Sequence, residues 1–184
     1  MTFRAIIVGA ILSVAPGAAV ERAWADAPIL SDGEDRIDAR NGAFFAIPSP
    51  DRRSTVTYRV VRGRKAERMW TLAGWHPGAF LSDDGEYLVV GYPGVNLLAL
   101  DHEPDVVMLS FFHRAKAVGV VRLNEIIQDR AHLRRTVSHV AWGMFAGFVA
   151  PHQFAVDTIE NRRLVYDVTS GARITATESS TGAK

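Results

Sequence analysis

"FLSDDGEYLVVGY", residues 80–92, sets Asp84-Gly85 between two apolar runs. Asp-Gly in that setting is a strong short hairpin signal, because both residues accept positive φ at low cost. Leu88, Val89 and Val90 follow one another with no polar residue between them. The strand leaving the turn is therefore predicted to lie inside a sheet, covered on both faces. Further along, "RLVYDVTSGARI" (163–174) repeats the order: an apolar run, an Asp, a Thr-Ser-Gly turn and a second strand-like run.

Strand signals continue on both sides of this hairpin. "GAFFAIPSP" (42–50) reads as a short strand ended by two prolines. In "STVTYRVVR" (54–62), Val56, Tyr58 and Val60 point one way and Thr55, Thr57 and Arg59 the other, the period of a half-buried strand. "AERMWTLAGW" (66–75) continues as a third strand, and "DVVMLSFFHR" (105–114) and "AVGVVRL" (117–123) form a further pair. "HVAWGMFAGFVA", "QFAVDTIE" and "RRLVYDVT" complete the series. The one helical candidate is "NEIIQDRAHLRR" (124–135), where Asn124 can cap and Ile126, Ile127 and Leu133 fall roughly on one face. Short strands separated by turn signals predict an all-β chain, a sandwich or propeller-type set of sheets with one short helix.

The phrases at these turns resemble β-propeller blades. "FLSDDGEYLVVGY" is similar to the second-to-third strand turn of a blade, where S-x-D-G-x-x-L-V is common. "LVYDVTSGARI" and "VMLSFFHRAKAVGVVRL" resemble an outer strand running into the next first strand. The resemblance covers two units, about 66–122 and 137–175, whereas a closed ring takes at least about four blades of about 40 to 50 residues. It implies two blade-like antiparallel sheets packed on each other, with the strands at 42–62 completing a sheet. It implies no activity, since propellers host many functions.

The N-terminus reads as an export signal. Arg4 precedes an apolar stretch from Ala5 to Val20, and an A-x-A site follows at Ala23-Trp24-Ala25. The stretch is short for a membrane span, and Pro16 and Gly17 interrupt it. Cleavage after Ala25 is expected, giving a periplasmic or secreted protein with no span left. Residues 26–41 are expected to be a loose lead-in, 42–175 a single β domain, and 176–184, small and polar, a disordered tail.

Composition narrows the functional classes. There is no cysteine, hence no disulfide and no thiolate metal site. The chain has 21 basic and 20 acidic residues; Arg4, Arg22 and Glu21 lie before the expected cleavage point, leaving 19 of each. A neutral chain is a poor nucleic-acid binder, which needs a net basic surface to displace counterions.

Few residues carry chemistry. Trp75 with His76 beside Gly74, and His139 with Trp142 beside Gly143, each pair an imidazole with an indole. Such side chains suit a recognition surface, and a binding site, if there is one, is expected at these two stretches; the competing reading puts both Trp in the core, Trp142 first, and leaves both His merely hydrogen-bonded. Arg59, Arg62, Arg64 and Arg68 alternate with apolar residues and are expected on one solvated sheet face, an anion or acidic-partner surface. Asp101, Glu103 and Asp105 at alternate positions could hold a hard cation if extended; an acidic loop is the competing reading. Ser138 and His139, as strand neighbours, should point to opposite faces and form no nucleophile–base pair. No G-x-S-x-G or H-E-x-x-H motif occurs and no cofactor is indicated. Two functions are compatible with this inventory. One is a binding or accessory protein acting on a protein or small molecule in the periplasm. The other is a periplasmic hydrolase with His139 as general base and Asp157 or Asp101 as its partner.

Overall fold

The computed structural model describes residues 36–49 and 51–174, so the expected signal and tail lie outside the described residues. The chain is all-β with one short helix. The first sheet runs β1 (Ile37–Asp38), β2 (Phe44–Pro48), β3 (Ser54–Arg59) and β4 (Glu67–Ala73), each paired with the next. The second takes β5 (Ala79–Leu81) and β6 (Tyr87–Gly91). The chain then leaves it through β7 (Leu97–Ala99) and returns as β8 (Val107–His113) and β9 (Lys116–Arg122). After helix α1 (Leu123–Ile126), β10 (Arg134–Arg135) and β11 (His139–Ala141) join β7 in a small sheet. The third sheet is β12 (Gly143–Ala150), β13 (Gln153–Thr158), β14 (Arg163–Asp167) and β15 (Arg173–Ile174). The described pairings are antiparallel throughout.

Three four-stranded meanders thus stand where two blade-like units were expected, and the described residues do not close a ring. The strand at 66–75 is the reason. It pairs with β3, Thr55 opposite Leu72 and Val56 opposite Thr71, and so completes the first sheet instead of opening the second. The first sheet also begins earlier than expected. Within the lead-in, Ile37 pairs with Ala46 and Ala39 is buried.

The second sheet sits between the other two, which explains its unbroken apolar runs. Leu88, with Val90 and Phe112, packs toward Ala46, Trp70 and Leu72 of the first sheet. Val89, Leu109 and Phe111 pack with Trp142, Phe154, Val156 and Leu164 on the other side. A strand buried on both faces has no polar side to show.

The opening hairpin is not the two-residue turn its Asp-Gly suggests. Ser82 N bonds Tyr87 O at 3.0 Å, closing a four-residue loop, and Gly85 N bonds Ser82 O at 3.0 Å. Gly85 takes φ +70°, while Asp84 keeps a negative φ. Asp84 serves through its side chain, accepting from Ser82 Oγ at 2.5 Å and Glu86 N at 3.0 Å. The same turn occurs at Ser49. There Ser49 N reaches Ser54 O, Arg52 N reaches Ser49 O with φ +58° at Arg52, and Asp51 accepts from Ser49 Oγ and Arg53 N. The structural twin of the first phrase is therefore Ser49–Ser54, more than the Thr-Ser-Gly turn near residue 170, where the positive φ falls one position later, at Gly171.

The predicted helix is one turn of α-helix plus a single 3-10 turn at Arg130–His132. Side chains draw the backbone out of the longer helix. Glu160 accepts from Gln128 N and Asp129 N, and Asp129 accepts from Ala131 N. Such bonds compete with helical ones. Leu123, Ile126 and Ile127 still anchor the segment in the core.

Candidate interaction surface

The two Trp-His stretches do not share one surface. Trp142 is fully buried, and its indole Nε1 donates to Val95 O at 2.8 Å, so it belongs to the core between the second and third sheets. Gly143 after it takes φ +151°, and a Cβ there would strike Asp157 O on β13. Trp75 is exposed, with the Arg52 guanidinium 4.7 Å from its ring. His76 folds back, its Nε2 donating to Ala73 O at 3.0 Å, and its backbone N donates to Thr55 Oγ1. Among the described residues, no hydrogen bond or ring contact joins the His76 stretch to the His139 stretch.

Ser138 and His139 do meet, contrary to the strand argument. Ser138 Oγ lies 2.9 Å from His139 Nδ1. Ser138 precedes β11 in a bend, so the alternation of strand side chains does not apply to it. Among the described residues no carboxylate lies within ion-pair distance of His139. Asp157, one expected partner, is held by Arg163 through two 2.7 Å bonds. Those bonds outweigh desolvation and hold its carboxyl below the ordinary range.

The four arginines do not share a face either. Arg59 stands opposite Glu67 and pairs with it at 2.6 Å, whereas Arg68 stands opposite Tyr58, on the other side of the sheet. Arg62 and Arg64 lie in the connection between β3 and β4. Asp101 and Asp105 lie in turns and Glu103 in the irregular stretch between them, not in an extended strand, so their alternation gathers nothing. Among the described residues no three His, Cys, Asp or Glu side chains are placed to hold a metal ion.

A cluster that the sequence did not announce ties the three sheets together. Arg40 in the β1–β2 connection donates to Asp83 Oδ2 at 2.7 Å and to Phe148 O of β12 at 2.8 Å. Asn41 donates to Asp83 O, and Trp70 Nε1 of β4 to Gly85 O. From the third sheet, His152 Nε2 reaches Asp84 Oδ2 at 2.7 Å, its ring 5.0 Å from that of Tyr87. Burial pushes the Asp84 carboxyl up, but hydrogen bonds from Ser82, His152 and Glu86 N prevail and hold it below its ordinary value. Beside His152 lies a cleft of about 300 Å³ lined by Pro151, Gln153, Asp167, Thr169 and Ile174. A second, about 250 Å³, opens where Ile37 and Arg40 meet Phe80 and Phe148. Both lie at or below the lower end of ligand-pocket sizes, about 300 Å³.

The most unusual feature is the orientation of β3. Thr55 and Thr57 are fully buried against the second sheet, while Val56, Tyr58 and Val60 turn outward. Thr57 Oγ1 is buried without a hydrogen-bond partner among the described residues. Cross-strand partners extend the outer face. Phe45 stacks on Tyr58 with ring centroids 5.1 Å apart, and Ile47 stands opposite Val56. Arg36 caps Phe45 at 4.0 Å. Ile47 is 36% and Val60 46% exposed, and Trp75 flanks the face at 37%. The sheet thus buries threonine and leaves isoleucine and valine exposed beside half-buried Val56 and Tyr58, the reverse of the usual partition. The alternation of β3 was legible in the sequence; which side faced the core was not.

No protein-family model matches the chain, and comparison with curated proteins returns no match.

Proposed function

We propose that the protein is an exported binding or accessory protein, acting in the periplasm or outside the cell by non-covalent docking of a partner onto the outer face of its first sheet. The observation that carries this reading is the inverted β3, with Thr55 and Thr57 inward and Val56, Tyr58 and Val60 outward. Buried polar side chains beneath exposed apolar ones are the reverse of what a solvated sheet face requires. Trp75 and Arg52 at its flank add an aromatic–cation pair of the kind common at interfaces. The export half of the reading is supported by the charged start, apolar stretch and A-x-A site of residues 1–25.

The test is affinity capture from periplasmic extract with the wild-type chain and with Ile47→Glu, whose side chain is already partly solvated. A bound partner lost on substitution, in a variant with an unchanged far-UV spectrum, supports the docking face. Capture that is indifferent to Ile47 and to Val60→Glu sinks it. N-terminal sequencing of the accumulated protein tests export: it should begin at Asp26, and a start at Met1 contradicts cleavage.

A further inference from the structure

The third sheet presents a second bare apolar face, at the opposite end of the row. Its inner side is Phe145, Phe148, Phe154, Val156, Leu164 and Tyr166. Strand alternation turns Met144 and Ile174 outward, 45% and 38% exposed, and Val149, 42% exposed, stands in the bulge between Phe148 and Ala150. Val165, half-buried, lies between Ala155 and Ile174 on the same side.

The two end faces carry opposite charge. On the first sheet, Arg36 and Asp38 close on each other at 2.7 Å, leaving Arg68, whose Nη2 has only Thr71 Oγ1. On the third sheet, Asp157 and Arg163 close on each other, leaving Asp167, whose carboxylate accepts, among the described residues, from Thr169 N alone. Among the described residues, each face therefore carries one closed ion pair beside its apolar side chains, with Arg68 and the flanking Arg52 left without a carboxylate on the first and Asp167 without a cation on the third.

We infer that the partner on the first sheet is a second copy of this chain, docked head to tail through the outer face of its third sheet. This rests on the first-sheet face being a docking surface, as proposed above. Unlike faces meet, so the contact pairs Ile47, Val56 and Tyr58 with Met144, Val149 and Val165 and brings Arg68 toward Asp167. Like faces would oppose two Arg68 or two Asp167 side chains, which disfavours a symmetric same-face dimer. The contact continues the packing already present inside the chain, where each sheet rests face to face on the next.

Sedimentation of the purified chain, in the form the cell accumulates, provides the test. The wild type should self-associate, and Ile47→Glu and Met144→Glu should each weaken association at least tenfold. Val56→Glu and Val165→Glu serve if either first variant loses its far-UV spectrum. The decisive step is mixing the two single variants. A head-to-tail contact leaves one intact third-sheet face and one intact first-sheet face in the mixture, so a mixed dimer should form although neither variant dimerises alone. A wild type that stays monomeric at its highest soluble concentration overturns the inference, as does a mixture that stays monomeric. Association sensitive to only one face also overturns it. In those cases capture of a different protein that depends on Ile47 would still uphold the docking face, so the two failures are distinguishable.

Discussion

His152 Nε2 lies 2.7 Å from Asp84 Oδ2, a contact between the β12–β13 turn and the hairpin turn of the second sheet. The same hairpin is gripped from the first sheet by Arg40, Asn41 and Trp70. Asp84→Ala removes the acceptor for Ser82, Glu86 N and His152 together and should cost about 2 kcal/mol. His152→Ala removes a partly exposed contact and should cost under about 1 kcal/mol. Urea unfolding of both and of the double variant checks this. A double variant as unstable as the sum of the singles would show that the two residues act independently.

Gly85 is constrained twice, by φ +70° and by Phe44, whose ring a Cβ would strike. Gly85→Val should cost about 1 to 3 kcal/mol, because a β-branched residue resists positive φ. Gly85→Ala should cost less but remain measurable. An unchanged melting temperature for the valine variant would contradict the turn geometry.

Glu160 should govern the acid side of stability. Its carboxylate is 7% exposed; burial pushes it up, but bonds from Asp129 N, Arg162, Gln128 N and His132 outweigh this and bring it to about 2, from 4.5. The folded state therefore binds the proton more weakly than the unfolded chain. The stabilisation is fully present above pH 4.5 and is lost as pH falls toward 2. Asp84, also depressed, acts in the same direction. Glu160→Gln should lower stability at pH 7 by about 2 kcal/mol and flatten the acid limb of the stability profile. A profile as steep as wild type would assign the acid limb to other groups.

Tyr166 has a buried hydroxyl with no hydrogen-bond partner among the described residues, and burial pushes its pKa up to about 12. One of the four tyrosines should therefore ionise late in an absorbance titration, and Tyr166→Phe should abolish that step. Stability should decline above pH 10, where the unfolded chain ionises first. The same variant should be neutral or more stable by up to about 1 kcal/mol, since it removes an unsatisfied buried polar group. A destabilised variant would mean that the hydroxyl is bonded.

Trp142 and Trp75 should separate stability from binding. Trp142→Ala empties a core site and leaves Val95 O without its donor, at a cost of about 3 to 5 kcal/mol. Trp75→Ala, on an exposed ring, should leave stability within about 0.5 kcal/mol and act on partner capture instead. Equal losses of stability would place Trp75 in the core as well.

Local patterns in the sequence located most of the strands, though not which face of each is covered. Local alternation, Asp-Gly and Pro signals locate β2, β3, β6, β8, β9 and β13, and the apolar run Leu88–Val90 is read correctly as a strand covered on both faces. Tertiary structure decided what period-2 patterns cannot carry. Whether β4 closes one sheet or opens the next depends on pairing across the β3–β4 connection, and either choice leaves its alternation unchanged. Which side of β3 faces inward depends on what packs against it; once turned inward, Thr55 donates its hydroxyl to Gly74 O. The Asp84–His152 contact spans 68 positions, beyond any local signal. Helix length, too, was settled at a distance, by the Glu160 carboxylate claiming Gln128 N and Asp129 N. Spacing along the chain reports what neighbours in sequence can do; which face of a strand stays exposed is set by what packs against it in space.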